Sequence, residues 1–368
     1  MSDNGAIKRR EEGLTIVTLQ GTPFEMGLQH GTLLKDEITR IHNHLTDYLS
    51  HIKRGVWGRT IYPFLQLLVW GYNLFTPTEY RAELKGIARG AGLGYASILL
   101  INVLDDLGHK MACSCFTVKG EKTKENILIY GRNLDYGIFT DLMPTLNTIF
   151  CYHPSDGFPL ISVGWPAYAG VVTGMSSKKL VVASLTSFSK EKARLGTPSG
   201  LLYRKALQYA SSLTDFRQLI INGRRTISNN LLLASTRESI VLEISPTRAH
   251  LRAEQDGILT VTNHFQNPFM SELKTFFMPK PPGSTLEEEL FTENYSVARN
   301  ERLQHLCRKG AIGIEEAIAI LKDSQISNDG TVQSLLLIPQ RLELWIAKKT
   351  TPPVSEGDFI QLKDLFTK

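Results

Sequence analysis

The stretch Ala112-Cys113-Ser114-Cys115-Phe116, followed by Gly131-Arg132-Asn133-Leu134-Asp135-Tyr136, marks the point at which the character of the chain changes. The sequence before this point predicts mainly helices. After it, apolar and β-branched runs alternate with turn residues, which is typical of strands. The connections between these runs are short, so antiparallel neighbours are expected, because parallel neighbours need crossovers of a dozen residues or more. The pattern predicts an α+β fold with a mainly antiparallel sheet.

Two start signals predict helices upstream of this point. Thr22-Pro23-Phe24-Glu25 combines an N-cap, a proline at the first helical position and a glutamate for a capping box, and it predicts a helix to about Leu49. Thr76-Pro77-Thr78-Glu79 repeats the signal and predicts a helix that ends at Gly90 and Gly92. Later helices are predicted near residues 199–211, 214–221, 297–308 and 314–322, with a proline-rich loop around residues 279–282.

The composition is that of a globular protein with a sizeable core: 368 residues, 42% hydrophobic and 21% charged. The 41 basic residues are scattered among 36 acidic ones, which argues against nucleic-acid binding. Four cysteines are too few for a disulfide scaffold and the polar start lacks a secretory signal, so a cytoplasmic location is expected. No second Cys/His pair completes a metal site, and we expect no metal and no other cofactor.

Residues 60–75, from Thr60 to Phe75, carry no charge and many large apolar side chains. The run falls short of the roughly twenty apolar residues that span a bilayer. A buried helix is the favoured interpretation, because short apolar runs usually belong to a core. A helix that contacts a membrane surface or covers a substrate is the alternative.

Cysteine is nucleophilic as the thiolate, so a catalytic cysteine needs a base or a cation nearby. Cys113 and Cys115 are the candidates, and we expect only one of them to face a site. If the strand from Ile127 pairs back on the Cys113 strand, Arg132 could stabilise a thiolate and Asp135 could orient a cationic partner. Inert buried cysteines and a surface ion pair are the alternatives.

Two polar residues close a predicted strand at Val261-Thr262-Asn263-His264-Phe265. Asn263 could donate to a developing oxyanion, or it could cap its own turn. His264 could pair with a cysteine, although a lone histidine at a strand end is more often a packing or hydrogen-bonding residue.

Several further motifs lie along the chain. They are Gly21-Thr22-Pro23-Phe24-Glu25-Met26-Gly27 with Gln29-His30-Gly31, residues 83–93, and Ser296-Val297-Ala298-Arg299. Together with the cysteine, arginine and asparagine motifs above, they resemble the acyl-coenzyme A:6-aminopenicillanic acid acyltransferase-like (peptidase C45-like) family of N-terminal-nucleophile hydrolases. That family is related to choloylglycine hydrolases, penicillin V acylases, acid ceramidase and N-acylethanolamine-hydrolysing acid amidase.

The resemblance implies an αββα sandwich, with two mainly antiparallel sheets between helical layers. It also implies a zymogen that cleaves itself between Ala112 and Cys113. Residues 1–112 would then form a helical N-terminal piece and residues 113–368 the catalytic piece of one integrated domain. Cleavage would yield fragments of about 12 and about 29 kDa from the 41.2 kDa chain.

The resemblance also implies roles for individual residues. Cys113, not Cys115, would be the nucleophile, and its freed α-amine, which titrates near pH 8, would take the thiol proton. Asp135 would hold the α-amine, Arg132 would polarise the thiol, and Asn263 would donate to the oxyanion.

Two positions remain open within that resemblance. Relatives often have an asparagine or tyrosine after the strand that corresponds to residues 180–185, whereas Thr186 and Ser187 stand here. Thr186 and His264 are therefore kept as candidates for oxyanion or substrate contact. The downstream arginine is Arg299 or Arg302, and Arg299 is preferred because Ser296 precedes it.

The function implied is that of a self-processing amidohydrolase acting on a small, linear, non-peptide N-acyl amide with an apolar acyl group, through a thioester. An acyltransferase that moves an acyl group from a thioester donor to an amine is one alternative. An uncleaved, non-catalytic binding protein on the same fold is the other. The sequence does not indicate an oligomeric state.

Overall fold

A computed structural model describes residues 6–11, 13–52, 56–108, 111–275 and 293–367. The proline-rich loop predicted around residues 279–282 lies outside them. The strands found in these ranges are β1 (Ile7–Glu11), β2 (Leu14–Gly21), β3 (Met111–Val118), β4 (Ile129–Tyr136), β5 (Thr148–Pro154), β6 (Leu160–Gly164), β7 (Thr173–Ser176), β8 (Val181–Thr186), β9 (Asn229–Ala234), β10 (Ser239–Ile244), β11 (Ala249–Ala253), β12 (Ile258–Val261), β13 (Thr331–Ile338), β14 (Glu343–Ala347) and β15 (Phe359–Leu362). The helices are α1 (Pro23–Leu33), α2 (Lys35–Ile52), α3 (Val56–Asn73), α4 (Thr78–Ala91), α5 (Tyr95–Gly108), α6 (Ser199–Tyr209), α7 (Leu213–Asn222), α8 (Pro268–Ser271), α9 (Glu293–Cys307) and α10 (Ile314–Lys322).

The strands form two sheets. The larger has the order β1-β2-β5-β6-β7-β8-β9-β10-β11, and the smaller has the order β12-β3-β4-β13-β14-β15. Neighbouring strands are antiparallel apart from β2 and β5, which are parallel. The prediction of a mainly antiparallel α+β fold is confirmed.

Successive side chains of a strand point to opposite faces, and this alternation builds three apolar layers. Ile149 of β5 packs between the two sheets, whereas its neighbour Phe150 packs under the helices that cover the larger sheet. On β3, Cys115 lies between the sheets and Phe116 packs against the helices that cover the smaller sheet. Helix, sheet, sheet and helix are therefore stacked in that order, and the expected αββα sandwich is confirmed.

The N-terminal segment is not purely helical, which corrects the prediction for residues 1–112. Strand β2 lies within the larger sheet between β1 and β5. Its residues are largely apolar or β-branched and are bracketed by Gly13 and Gly21, both at positive φ, where glycine is favoured. The first predicted element was the helix that starts at Thr22, and this strand was not predicted.

Helices α1 and α4 are in direct backbone contact. Each has two glycines four residues apart, Gly27 and Gly31 on α1 and Gly86 and Gly90 on α4. A Cβ atom at Gly27 would lie 2.0 Å from the carbonyl oxygen of Glu83, and one at Gly31 would lie 2.3 Å from that of Ile87. The predicted capping box of Thr22 and Glu25 is present, but the helix ends at Leu33, and α2 begins at Lys35 instead of continuing α1 to Leu49.

The apolar run at residues 60–75 lies largely on α3 and is only partly buried. Val69 and Tyr72 are buried, whereas Phe64, Leu67 and Leu74 are exposed. The favoured interpretation of a buried helix is therefore wrong for one of its faces. Within the described ranges, no helix is long and apolar enough to cross a membrane.

Candidate active site

The hairpin of β3 and β4 brings the cysteine and arginine motifs together, as predicted. Ala112 lies opposite Asp135, and Cys115 lies opposite Arg132. The side chains of Cys113 and Arg132 point into the space between the two sheets. Asp135 points the other way, toward α9. The β3–β4 hairpin therefore has polar side chains on both faces of the smaller sheet, next to the peptide bond between Ala112 and Cys113.

The Cys113 thiol is fully buried and lies next to a guanidinium group. Arg132 Nη2 is 3.4 Å from Cys113 Sγ. The same guanidinium donates hydrogen bonds to the carbonyl oxygen of Val172, just before β7, at 2.9 Å and to that of Ser184 in β8 at 2.8 Å. Burial raises the pKa of the Cys113 thiol, and the positive charge of Arg132 opposes that rise. Arg132 is thus held by the opposite sheet in the position that favours a thiolate.

Cys115 points into the same space as Cys113, so the expectation that only one cysteine faces this region is wrong. Residues two apart in a strand share a face, and both thiols belong to the core between the sheets. Burial raises the pKa of Cys115 also. What distinguishes Cys113 is the set of polar contacts to its own backbone atoms, described next.

A buried ion pair lies against the backbone of Cys113. Arg299 Nη1 is 2.5 Å from Asp135 Oδ2, and both side chains are almost inaccessible to solvent. Arg299 Nη2 donates to Asn263 Oδ1 at 2.9 Å and to the Cys113 carbonyl oxygen at 3.3 Å. Thr331 Oγ1 donates to the other oxygen of Asp135 at 2.7 Å. Each oxygen of this carboxylate therefore has a partner, as a buried charge requires.

The two candidate arginines of α9 have different surroundings. Arg299 belongs to the group around Cys113, whereas Arg302 forms a partly exposed ion pair with Asp323. The structure thus places Arg299 in the candidate site and Arg302 outside it.

Asn263 contacts the peptide bond between Ala112 and Cys113 directly. The backbone N–H of Cys113 donates to Asn263 Oδ1 at 2.8 Å, and Asn263 Nδ2 donates to the carbonyl oxygen of Thr186 at 2.8 Å. The amide oxygen, and not the amide nitrogen, therefore faces Cys113 in this chain. Donation from Asn263 to an oxyanion stays a prediction.

His264 belongs to the group of side chains that hold Asn263. Its Nδ1 is 2.8 Å from Ser296 Oγ and 3.2 Å from Thr262 Oγ1. Ser296 Oγ in turn accepts the backbone N–H of Asn263 at 2.8 Å. Burial lowers the pKa of His264 to about 4, so the ring is neutral at pH 7. The structure describes no hydrogen bond between this ring and Cys113.

Thr186 lies beside Asn263 at the end of β8. Its hydroxyl is buried and has no hydrogen-bond partner among the described residues, and the same is true of Ser187. A buried unpaired hydroxyl is costly unless something else binds it. Thr186 therefore lies next to Asn263 with an unpaired hydroxyl, and its contact with an oxyanion or a substrate stays a prediction.

Two contributions were missed by the sequence analysis. The first is Thr331, which binds Asp135 across 196 positions of the chain. The second is the hydroxyl of Ser296, which was used only as a motif marker. No local pattern in the sequence identifies either residue, because their partners are adjacent only after the sheet and α9 have assembled.

An apolar cavity opens close to the same hairpin. Its volume is about 50 Å³, and it is partly open to solvent. Its lining residues precede the Ala112–Cys113 bond in the sequence or follow it. They are Ile41, Leu45, Ile101, Leu104, Asp105, Tyr136, Phe139, Met143, Trp165, Pro166 and Tyr168. Tyr136 lies opposite Met111 in the hairpin, and its hydroxyl donates to Asp105 at 2.8 Å. In the described part of the chain, no group of three or more His, Cys, Asp and Glu side chains could hold a metal ion.

Comparison of the sequence with known families gives one match that covers much of the chain. The profile of the acyl-coenzyme A:6-aminopenicillanic acid acyl-transferase family matches residues 119–333, which is 215 of 368 positions. Among similar proteins is the acyl-coenzyme A:6-aminopenicillanic-acid-acyltransferase 40 kDa form of Emericella nidulans, 26% identical over 84% of this chain and 81% of the relative. The N-acylethanolamine-hydrolyzing acid amidase of Caenorhabditis elegans is 27% identical over 32% of this chain and 34% of the relative.

Two further sequence relatives carry no activity in their names. Protein dcd1A of Dictyostelium discoideum is 26% identical over 71% of this chain, and protein dcd1B is 26% identical over 63%. The matched region spans 63% and 50% of those two proteins, respectively.

Similar solved structures include an ortholog of N-acylethanolamine-hydrolyzing acid amidase from Caenorhabditis elegans. It has a TM-score of 0.47 and 14% identity, covering 66% of this chain and 96% of that one. A conjugated bile acid hydrolase from Clostridium perfringens has a TM-score of 0.41 and 15% identity, covering 68% and 96%.

Proposed function

The chain belongs to the acyl-coenzyme A:6-aminopenicillanic acid acyl-transferase family, and from that premise we propose that it is a self-processing N-terminal cysteine amidohydrolase. In this proposal Cys113 is the nucleophile and the bond between Ala112 and Cys113 is the one cleaved. Arg132, Asp135, Asn263 and Arg299 assist it. The substrate is a linear, non-peptide N-acyl amide with an apolar acyl group.

One observation supports this proposal above the others: every polar atom of Cys113 has a partner suited to the reaction. The thiol faces Arg132, the backbone N–H donates to Asn263, and the carbonyl oxygen accepts from Arg299. Cys115, on the same strand and face, has none of these three contacts among the hydrogen bonds of the described residues. A buried inert cysteine would not need this arrangement.

Self-cleavage proceeds by an N-to-S acyl shift. The Cys113 sulfur attacks the carbonyl carbon of Ala112, the C–N bond breaks, and the thiol proton passes to the departing nitrogen. Water then hydrolyses the thioester, which leaves a carboxylate on Ala112 and a free thiol and α-amine on Cys113. The hydroxyl of Thr186 is the candidate donor to the oxyanion that forms on the attacked carbonyl.

In the mature enzyme, nucleophile and base lie on one residue. The α-amine of Cys113 takes the thiol proton, and the sulfur attacks the substrate carbonyl to form a thioester while the amine product leaves with that proton. Water hydrolyses the thioester and releases the acid. Asp135, which lies opposite Ala112 in the hairpin, would hold the new ammonium group, and Arg132 would stabilise the thiolate inside the protein.

The apolar cavity supports an apolar acyl group. Most of its lining side chains are hydrophobic, and the carboxylate of Asp105 is bound by the Tyr136 hydroxyl. A hydrocarbon chain of the substrate would gain free energy there because it leaves water. Helices α2 and α5 contribute Ile41 and Ile101, so the proposed N-terminal piece would remain part of the binding site after cleavage.

Denaturing mass spectrometry of the purified protein tests the self-cleavage. We expect two fragments of about 12 and about 29 kDa for the wild-type chain and for Cys115→Ala, and an intact chain of 41.2 kDa for Cys113→Ala. An intact wild-type chain, or fragments that persist in Cys113→Ala, would contradict the proposal. An intact wild-type chain is also the outcome expected of the non-catalytic alternative.

Acyl transfer to an amine is the second candidate. The similarity to the Emericella nidulans acyltransferase over most of both chains favours it. The processed protein is incubated with an N-acyl amide, and separately with an acyl thioester, in the presence of a free amine. Accumulation of free acid identifies the hydrolase, whereas accumulation of a new acylated amine identifies the transferase.

We also propose that the protein works in a reducing, cytoplasmic compartment. All four cysteines are buried and free, including the nucleophile. Oxidation would consume the thiol that the reaction needs.

A further inference from the structure

The outer face of α3 exposes a group of large apolar side chains, which we call the α3 patch. It consists of Phe64, Leu67, Leu68, Trp70 and Leu74 from the helix and its C-terminal end, together with Leu195. These are six of the eight exposed large hydrophobic residues among the described side chains, and Leu67 and Leu74 are 71% and 75% exposed. Scattered exposed apolar residues are normal, but a contiguous group marks an interaction surface.

The α3 patch is held firmly by the rest of the molecule. On the inner side of α3, Val69 and Tyr72 are buried. Gln66 Nε2 donates to Ser97 Oγ at 2.9 Å, and the Tyr95 hydroxyl donates to Asn73 Oδ1 at 2.6 Å, so both ends of this stretch are bonded to α5. The exposure is therefore a property of a packed helix and not of a frayed one.

Cationic side chains border the α3 patch at two places. Arg81 and Lys85 of α4 line a groove together with Trp70. Next to Leu195, the guanidinium of Arg224 lies 4.0 Å from the ring centroid of Phe75 and donates to the carbonyl oxygen of Leu195 at 3.0 Å. Residues 60–75 contain no acidic side chain. An apolar centre with cationic borders is complementary to an anionic bilayer, whose phosphates lie above its hydrocarbon.

The border also carries the aromatic residues expected at a membrane interface. The rings of Trp70 and Tyr95 pack with their centroids 5.7 Å apart, next to the groove formed with Arg81 and Lys85. Trp and Tyr prefer the headgroup level, because one end of each ring system is apolar and the other is polar.

We propose that the α3 patch docks the protein onto the surface of anionic lipid bilayers, with α3 lying in the plane of the interface. A second copy of this chain fits the patch less well. A two-fold contact of the patch with itself would bring the cationic borders of both copies together, and like charges repel. This docking does not depend on the proposed catalysis, and the two are tested separately.

Sedimentation with lipid vesicles tests the docking. The wild-type protein is mixed with vesicles of phosphatidylcholine alone and with vesicles that also contain phosphatidylserine. We expect binding to the anionic vesicles that weakens as salt is raised. The double variant Leu67→Asp/Leu74→Asp should bind at least about tenfold more weakly, because it places two charges in the centre of the patch. Lys85→Glu/Arg224→Glu should lose the preference for anionic lipid.

Phe269→Asp is the matched control, since Phe269 is also an exposed apolar residue, 64% accessible, but lies outside the α3 patch. It should bind vesicles like the wild type, as should Cys113→Ala. Circular dichroism and thermal unfolding confirm that each variant is folded. Absence of wild-type binding, or equal loss in Phe269→Asp and Leu67→Asp/Leu74→Asp, overturns the proposal. A concentration-dependent dimer that disappears in Leu67→Asp/Leu74→Asp, without vesicle binding, would assign the patch to a second copy instead.

Discussion

Arg299 and Arg302 lie three residues apart on α9 yet have very different surroundings. Arg299 is 1% exposed and contacts Asp135, Asn263 and the carbonyl oxygen of Cys113. Its planar guanidinium can donate to all of these acceptors at once, whereas a lysine ammonium at the end of a flexible chain cannot. Arg302 has Asp323 as its partner near the surface, where an ion pair contributes little to stability.

We therefore expect Arg299→Lys to slow self-cleavage by at least about tenfold, and Arg302→Lys to change it by less than about twofold. The measurement is the rate at which the two fragments form from unprocessed chain. In a Cys113→Ala background, thermal unfolding separates lost stability from lost chemistry. Equal effects of the two substitutions would show that Arg299 has no particular role in the reaction.

At the scale of elements, the contact between α1 and α4 depends on glycine. A Cβ at Gly31 would lie 2.3 Å from the carbonyl oxygen of Ile87, so the two helices would have to separate. At Gly164, in contrast, the nearest atoms lie 4.0 Å from an added Cβ. The helix pair covers the larger sheet and helps to bury its outer face.

Gly31→Ala should accordingly lower the free energy of unfolding by about 3 kcal/mol or more, because overpacking against a rigid backbone cannot relax through side chains. Gly164→Ala should change it by less than about 1 kcal/mol. Urea unfolding in the Cys113→Ala background measures both. A Gly31→Ala protein as stable as its parent would mean that α1 and α4 are not in backbone contact.

Asp106 joins α5 to the start of α6 and to the loop between α7 and β9. Its carboxyl accepts hydrogen bonds from the backbone and hydroxyl of Ser199 at the start of α6 and from the Thr226 hydroxyl. Burial is the largest cause that raises the pKa of Asp106, to about 7, and the neighbouring Asp105 adds to it. The folded protein therefore binds this proton more tightly than the unfolded chain does.

The raised pKa of Asp106 makes the protein less stable as the pH rises. The contribution of Asp106 to stability is full below about pH 4 and is lost as the pH rises to about 7, at up to about 1.4 kcal/mol per pH unit. Between about pH 5 and about pH 7, the parent should lose more unfolding free energy than Asp106→Asn. Urea unfolding of both proteins at these two values checks this, and parallel pH profiles would contradict it.

At the scale of the whole molecule, the two proposed pieces are interleaved. Strand β2 of the N-terminal piece forms a parallel ladder with β5 of the catalytic piece. Glu83 on α4 and Arg204 on α6 form a buried ion pair at 2.6 Å, which also crosses between them. Separation would expose the apolar layer under the helices and leave both charges unpaired in the opened core.

The fragments should therefore co-elute as one species of about 41 kDa in native size-exclusion chromatography, and separate only in denaturant. Dissociation of the fragments in native buffer would show that the N-terminal segment is not an integral part of the sandwich. The result also decides whether the apolar cavity persists after cleavage, because helices α2 and α5 of the N-terminal piece line it together with β4 and loop residues of the catalytic piece.

Much of the fold could be predicted because the sequence patterns that specify it are local. The capping box of Thr22 and Glu25, and the strand periodicity after Cys113, act over a few residues. Strand β2 was missed although its composition is typical of a strand. Exposure of Leu67 could not be read from the sequence either, since a run such as residues 60–75 suits a core as well as a surface.

The family motifs, the α+β character and the pairing of the Cys113 and Arg132 strands follow from the sequence alone, since short connections leave few topologies. The packing of the folded chain shows which arginine of α9 reaches Cys113, that Thr331 binds Asp135, and that Asn263 presents its amide oxygen to the Cys113 N–H. These contacts join residues separated by 150 to 196 positions. Their geometry depends on how helices and sheets pack, and no local pattern encodes it.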